Sequence, residues 1–174
     1  FGTEVSVLAF CDGTDFSVMP AAQDHKRLLD GDEGPNTGGM GAFHPSPIAD
    51  DALLADVGRD VIAPTLAALA AEGRPYKGVL YAGMMLTAAG SKVIEFNCRF
   101  GDPETQVVLP LLTSDLLDAF EACVTGTLAA NQPTWADAAA ATVVMASAGY
   151  PVSSAAPAAI SGLADAATLG TTVF

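Results

Sequence analysis

The distribution of apolar and polar positions divides the chain into recognisable elements. Glu4 to Phe10 is a β-rich apolar run, Asp12-Gly13 is a turn signal, and Phe16 to Met19 resumes strand pattern, which predicts a hairpin or two sheet strands with a short loop. Gln23 to Pro47 is polar and glycine-rich with little apolar periodicity, and reads as a long structureless loop of the kind that carries function. From Asp50 to Ala71, Leu53, Leu54, Val57, Val61 and Ile62 recur at helical spacing, capped by Ala49-Asp50-Asp51, kinked or split at Pro64 and ended by Gly73, with Leu66 and Leu69 in the core. Tyr76 to Leu86 predicts a buried strand, Ala88-Ala89-Gly90 a turn, and Lys92 to Asn97 an antiparallel return. Gly101-Asp102-Pro103-Glu104 breaks that strand, and Glu104 to Leu112 begins helical. Ser114 is placed to cap a further helix whose Leu116, Leu117, Phe120 and Val124 face inward until Gly126 stops it. The polar stretch Asn131 to Ala138, with Pro133, marks a domain boundary, so that residues 1–133 and 134–174 form separate portions. Beyond it come a strand at Ala141 to Ser147, a turn at Gly149-Tyr150-Pro151, and a last short strand ending at Phe174.

Composition narrows the classes. The chain has 174 residues, 51% of them hydrophobic, which excludes disorder and predicts a buried core. A net charge of −13 with 7 Lys+Arg offers no basic footprint for nucleic acid, and an anionic membrane surface would repel it. Cys11, Cys98 and Cys123 are too few and too scattered for a disulfide framework or a Cys-x-x-Cys zinc site, which suits a reducing cytosol. No signal-peptide pattern opens the chain, and the most apolar window, Val61 to Ala71, is too short to span a bilayer, so a soluble cytoplasmic protein is expected. The chain opens at Phe1 in strand pattern and closes in another, and reads as part of something longer.

The candidate chemistry centres on Lys92 to Gln106, KVIEFNCRFGDPETQ. Residues two apart on a strand share a face, so Glu95, Asn97 and Arg99 are expected to project together. Glu95 and Asn97 supply the oxygen ligands that Mg²⁺ prefers, and Mg²⁺ is commonly held by one or two protein groups plus substrate phosphates. Arg99 is shaped to grip a carboxylate or phosphate through two parallel hydrogen bonds. The competing reading is an edge strand with a solvated polar face. In the long loop, Gly34, Gly38, Gly39 and Gly41 expose backbone N-H groups, and Asn36 and Thr37 add side-chain donors, so it either cradles an anion or is a flexible surface loop. It is neither a Walker loop nor a dinucleotide fingerprint. Asp30-x-Asp32 lacks the later ligands of a calcium loop. His25 and Lys26 are either solvated or catalytic.

In order and spacing, QDHKR, GPNTGGMGA and VIEFNCRFGDPETQ resemble the phosphoribosylamine-glycine ligase family of purine synthesis, within the ATP-grasp superfamily, and the resemblance covers essentially all of the chain. It implies an α+β fold: the C-terminal lobe of an ATP-grasp domain, an antiparallel sheet with helices, followed by the beginning of a small α/β C-terminal domain to which SAGYP and ISGL correspond. The implied activity joins glycine to 5-phosphoribosylamine, with ATP going to ADP and phosphate through a glycyl phosphate. Such chemistry relies on positioning and electrostatics rather than a dedicated nucleophile. By resemblance, Glu95 and Asn97 match the Mg²⁺ (or Mn²⁺) positions, Arg99 a residue near the glycine carboxylate or acyl phosphate, and Lys26 a cation presented to the reacting group. Glu4 falls near the hinge that reads adenine, so Glu4, Lys26, Glu95 and Asn97 are the expected ATP and metal contacts. Asp24 and the Asn36-Thr37-Gly38-Gly39 loop are expected to touch substrate. Asp102 and Glu104 are placed to orient the amine; equally, Asp102 caps the following helix.

The sequence departs from the wider pattern in one respect: Tyr81-Ala82-Gly83-Met84 carries no first metal-binding acid, which leaves the metal to Glu95, Asn97 and phosphates. The resemblance also puts the family's N-terminal domain and lysine-bearing ATP lobe upstream of Phe1. Those parts of the same polypeptide are therefore expected partners, and the isolated chain is expected not to turn over. The rival readings are another ATP-grasp carboxylate-amine ligase and a non-catalytic nucleotide-binding module.

Overall fold

A computed structural model describes residues 2–153 and 155–174. The chain divides into two compact units, one up to Val144 and one from Met145 onward.

The first unit is built on a four-stranded antiparallel sheet. Strand β1 (Thr3–Asp12) turns through Gly13 into β2 (Phe16–Val18), the predicted hairpin. The segment expected to be structureless instead holds four short strands: β3 (Gln23–Asp24), β4 (Arg27–Leu29), β5 (Glu33–Asn36) and β6 (Gly41–His44). Its backbone groups are satisfied by pairing rather than by apolar burial, with β4 against β5 and β3 against β6, which is why no hydrophobic period betrays it.

Helix α1 (Asp51–Val57) starts at Asp50, whose carboxylate accepts from the Leu53 N-H at 2.8 Å. A π-helical turn, Gly58–Ile62, then leads into α2 (Ala63–Ala71), with Pro64 in its first turn, where the missing N-H costs least. The expected split at Pro64 is thus realised one turn earlier. Gly58 lies against the Phe16 ring, a close approach that favours glycine. Gly73, at φ +73°, ends the helix.

Strands β7 (Lys77–Thr87) and β8 (Gly90–Asn97) complete the sheet in the order β2-β1-β7-β8. Alternation along β1 and β7 splits their side chains between two cores. Val5, Val7, Ala9, Cys11, Leu80, Ala82 and Met84 pack with Val57, Ile62 and Leu66 of the helical layer. Leu8, Phe10, Val79 and Tyr81 face the opposite way, with Val107, Val108, Ala122 and Cys123. Leu66 is buried as expected, whereas Leu69 is half-buried and lines a surface groove with Val93 and Phe96.

Helix α3 (Thr105–Val108) runs into a 3-10 turn, Leu109–Leu111, and α4 (Leu116–Thr125) follows. The α4 cap is Asp115, which accepts from the Leu117 N-H at 2.8 Å, not Ser114. Its inward stripe is Leu116, Ala119, Ala122 and Cys123, with Phe120 edge-on to Phe10 and Phe100. Leu117 and Val124 face outward at 62% and 70% exposure, contrary to expectation, because small residues let the helix lie close to the sheet.

The expected strand at 141–147 is β9 (Ala140–Val143), which pairs with β6 to give the order β3-β6-β9. That pairing holds residues 134–144 in the first unit, eleven residues past the boundary expected at 133. The second unit carries α5 (Leu163–Thr168), and its described residues contain no strand where a last one was expected. No helix among the described residues is long and apolar enough to cross a membrane.

Candidate functional site

One face of the sheet changes character along β1. Phe10 and Leu8 are buried in the core, and two and four residues earlier the same face presents Ser6 and Glu4. The Lys26 ammonium donates to Glu4 Oε2 at 2.5 Å and lies 3.9 Å from Asp24 Oδ2, whose side chain is only 3% exposed. Burial raises the pKa of Asp24; Lys26 opposes that effect, while Glu104 and Glu4 add to it. Burial disfavours the Lys26 ammonium, yet the Glu4 hydrogen bond and the charges of Asp24, Glu4 and Glu104 prevail and raise its pKa.

The glycine-rich loop is what holds Lys26. The Thr37 N-H and hydroxyl both donate to the Lys26 carbonyl, at 2.7 and 2.8 Å, and the Thr37 hydroxyl accepts from the Gly39 N-H. His25 is fastened through its N-H to Gly41 and through its carbonyl to Met40. Gly39, at φ +120°, passes so close to Pro103 that a Cβ would overlap it. Asn36 is exposed at the end of β5, opposite Arg27. The loop thus rests on Lys26 at one end and on the Asp102-Pro103 segment at the other.

Glu95 and Asn97 share a face by simple alternation, but the register shifts just before them. A bulge pairs Gly83 with Glu95 and Met84 with Val93, leaving Ile94 without an opposite residue. Val93, opposite Met84, and Phe96, opposite Ala82, therefore share the face of the helical layer, while Glu95 and Asn97 lie opposite Gly83 and Tyr81. Bare Gly83 leaves room between the Glu95 stem and the Tyr81 ring, each 3.4 Å from where a Cβ would stand. Asn97 Nδ2 donates to Glu95 Oε1 at 3.0 Å, which puts both side-chain heads within reach of one ligand.

Among the described residues no group of three or more His, Cys, Asp or Glu side chains is arranged to hold a metal. A carboxylate and an amide side by side and open to solvent suit Mg²⁺, which takes few protein ligands and completes its shell with water and phosphate. Arg99 lies past the end of β8, exposed, with its guanidinium on the Phe100 carbonyl at 2.8 Å. Asp102 accepts from the Gln106 side chain at 2.7 Å, at the start of the turn into α3, so it braces that turn.

Glu104, expected to orient the amine, lies beneath this face with Ser6 and Tyr81, two residues outside the expected contact set. Glu104 is 4% exposed, and its Oε1 accepts from Ser6 Oγ and from the Tyr81 hydroxyl, both at 2.9 Å. The two hydroxyl oxygens are 2.8 Å apart. Burial and the neighbouring Glu104 charge raise the Tyr81 pKa, so it stays a neutral donor. Ser6 stands alone as a polar residue between Val5 and Val7, and Tyr81 carries a hydroxyl in a buried strand; those anomalies are the signal that would have found them.

The family model for the phosphoribosylglycinamide synthetase ATP-grasp (A) domain matches residues 1–105. The chain is 55% identical over 174 residues to the trifunctional purine biosynthetic protein adenosine-3 of Gallus gallus, covering 99% of this chain and 17% of that protein. It is 52% identical over 151 residues to a phosphoribosylamine-glycine ligase of Caulobacter vibrioides, covering 86% and 35%. The crystal structure of a phosphoribosylamine-glycine ligase from Thermotoga maritima superposes with a TM-score of 0.77 at 36% identity, over 87% of this chain and 38% of that one. The chain therefore spans between about a sixth and two fifths of the length of these relatives.

Proposed function

The chain belongs to the phosphoribosylglycinamide synthetase ATP-grasp family and has its α+β fold, and from that premise we propose that it forms part of a ligase joining glycine to 5-phosphoribosylamine. In the reaction proposed, a glycine carboxylate oxygen attacks the γ-phosphorus of ATP and ADP leaves. The amine nitrogen then attacks the acyl carbon of glycyl phosphate, phosphate leaves, and the nitrogen gives up a proton. The observation that carries this reading is that Glu4 of β1, which bonds Lys26 beside Asp24, and the Glu95-Asn97 pair of β8 stand on the same face of the four-stranded sheet.

Each group has work that suits it. Glu95 and Asn97 would hold Mg²⁺ (or Mn²⁺), which when bound neutralises phosphate charge. Lys26, kept cationic, offers a fixed positive charge to the transferring phosphoryl group. Glu4 fixes that ammonium from the strand that would lead to the adenine site. Arg99, exposed and near the strand end, is available to a carboxylate or acyl phosphate. Asp24 and the loop from Asn36 to Gly39 border the same cluster and suit substrate contact, and Asp102 stands at its far edge to orient the amine. The remaining parts of the polypeptide supply the other ATP lobe, in the cytoplasm, so the 174 residues alone do not turn over.

The test is glycinamide ribonucleotide and ADP formation by the full-length parent protein with Mg²⁺, ATP, glycine and freshly generated phosphoribosylamine, omitting each in turn. Product only when all are present, and none from Glu95→Gln, supports the reading. Product from a different acid or amine refutes the substrate assignment, and no ADP under any combination refutes the ligase.

A further inference from the structure

The buried group formed by Ser6, Tyr81 and Glu104 is unusual for a structural one. Its carboxylate has almost no solvent, and the residue two positions from Ser6 on the same strand and face is Glu4, the partner of Lys26. The Ser6 N-H donates to the Ala22 carbonyl and the Ala22 N-H to the Ser6 carbonyl, at 2.9 and 3.0 Å, which fastens β1 to the chain just before Asp24 and Lys26. Gly101 is bare where a Cβ would overlap Glu104 Oε2, so the backbone closes over the second carboxylate oxygen. Tyr81 faces Asn97 across the strands and lies beside the Glu95 stem. The carboxylate is thus held from three sides, between the two halves of the site.

We propose that Glu104, clamped by Ser6 and Tyr81, is a positioning residue that acts on the reaction through Lys26. Of the charged groups around Lys26, Glu4 from β1 makes the direct bond and Asp24 from β3 lies 3.9 Å away. Glu104, from the turn before α3, reaches them through Ser6, which sits two residues from Glu4 on β1 and pairs with Ala22, and its charge acts on Lys26 in the same direction as theirs. The Glu104 charge also acts on Asp24, in the direction that favours its protonated form. Both effects need a carboxylate fixed in place, which is what the two hydroxyls provide. The kinetic part of the proposal rests on the ligase reading; the electrostatic part does not.

The experiment compares the full-length parent with Glu104→Gln and with Tyr81→Phe, the latter removing one hydroxyl and leaving the ring. Lys26 is partly exposed, so its protonation is read by competitive acetylation with acetic anhydride across pH, followed by peptide mass spectrometry. Removing the charge is expected to raise Lys26 acetylation at a fixed pH by about three-fold. Under saturating substrates kcat is expected to fall about ten-fold with KM for ATP little changed, a split that a merely structural role would not give. Tyr81→Phe moves both readouts the same way by less, and decides the matter where Glu104→Gln does not fold. Unchanged acetylation in a folded variant overturns the proposal, as does changed acetylation with unchanged kcat. A wild-type protein that forms no ADP refutes the ligase reading instead, and acetylation alone then judges the link from Glu104 to Lys26.

Discussion

Asp12, at the end of β1, and Asp24, on β3 beside the Lys26-Glu4 pair at the beginning of β1, are two buried carboxylates, and the protein treats them in opposite ways. Asp12 accepts three backbone N-H bonds, from Thr14 and Asp15 at 3.0 and 2.7 Å and from Leu128 at 3.1 Å. Burial alone would raise its pKa, but the three donors outweigh burial and lower it. Asp24 has Lys26 at 3.9 Å, and burial leaves its pKa raised. At the first end the fold satisfies its charge fully and gains stability; at the second it leaves a carboxylate under-compensated beside a shared cation. Functional sites are where such compensation is withheld, since a group already satisfied has little left to offer a ligand.

Breaking the second end should cost activity most. Lys26→Met is expected to lower the turnover of the full-length parent by about 10²–10³-fold, with its thermal midpoint nearly unchanged, measured by ADP release and by circular dichroism. Breaking the first end should cost stability. Asp12→Ala leaves three backbone donors unpaired and is expected to destabilise by about 2–4 kcal/mol, read from urea denaturation. A folded-state pKa below the ordinary value gives stability that is present above the usual carboxylate range and lost as pH falls through the folded value. The penalty of Asp12→Ala should therefore shrink on acidification below about pH 4. Asp24 has the other sign: its ionised form costs stability at neutral pH, so Asp24→Asn should gain a little there, with the gain vanishing in acid. Gly39→Ala, which needs a strained φ and meets Pro103, is expected to cost about 1–3 kcal/mol and to loosen both Lys26 and the Glu104 turn. Smallest of all, Leu117→Ser on the outward face of α4 should stay within about 0.5 kcal/mol.

The same contrast explains what was legible from residue order. Strand alternation and the motif at Glu95 to Arg99 are local, and the hairpin, the cap at Asp50 and the stops at Gly73 and Gly126 followed from local rules. The bulge at Ile94 did not, because register is set by the partner strand; it put Val93 on the face opposite Glu95 although the two are two residues apart. The strands within Gln23 to Pro47 were hidden because their partners, not their apolar pattern, make them strands. In α4 helical spacing favours the larger side chains as core, but close approach to the sheet buries Ala119 and Ala122 instead. Ser6 and Glu104 are 98 positions apart, and no window on the sequence joins them.

The central claim is that Lys26, held by Glu4 of β1, and Glu95 of β8 serve a single reaction. A double-mutant cycle in the full-length parent, with Lys26→Met, Glu95→Gln and the pair together, tests it by glycine-dependent ADP formation. Groups acting as a unit lose most of their effect together, so the account predicts that the double variant is little worse than the poorer single one. Losses that multiply independently would contradict it.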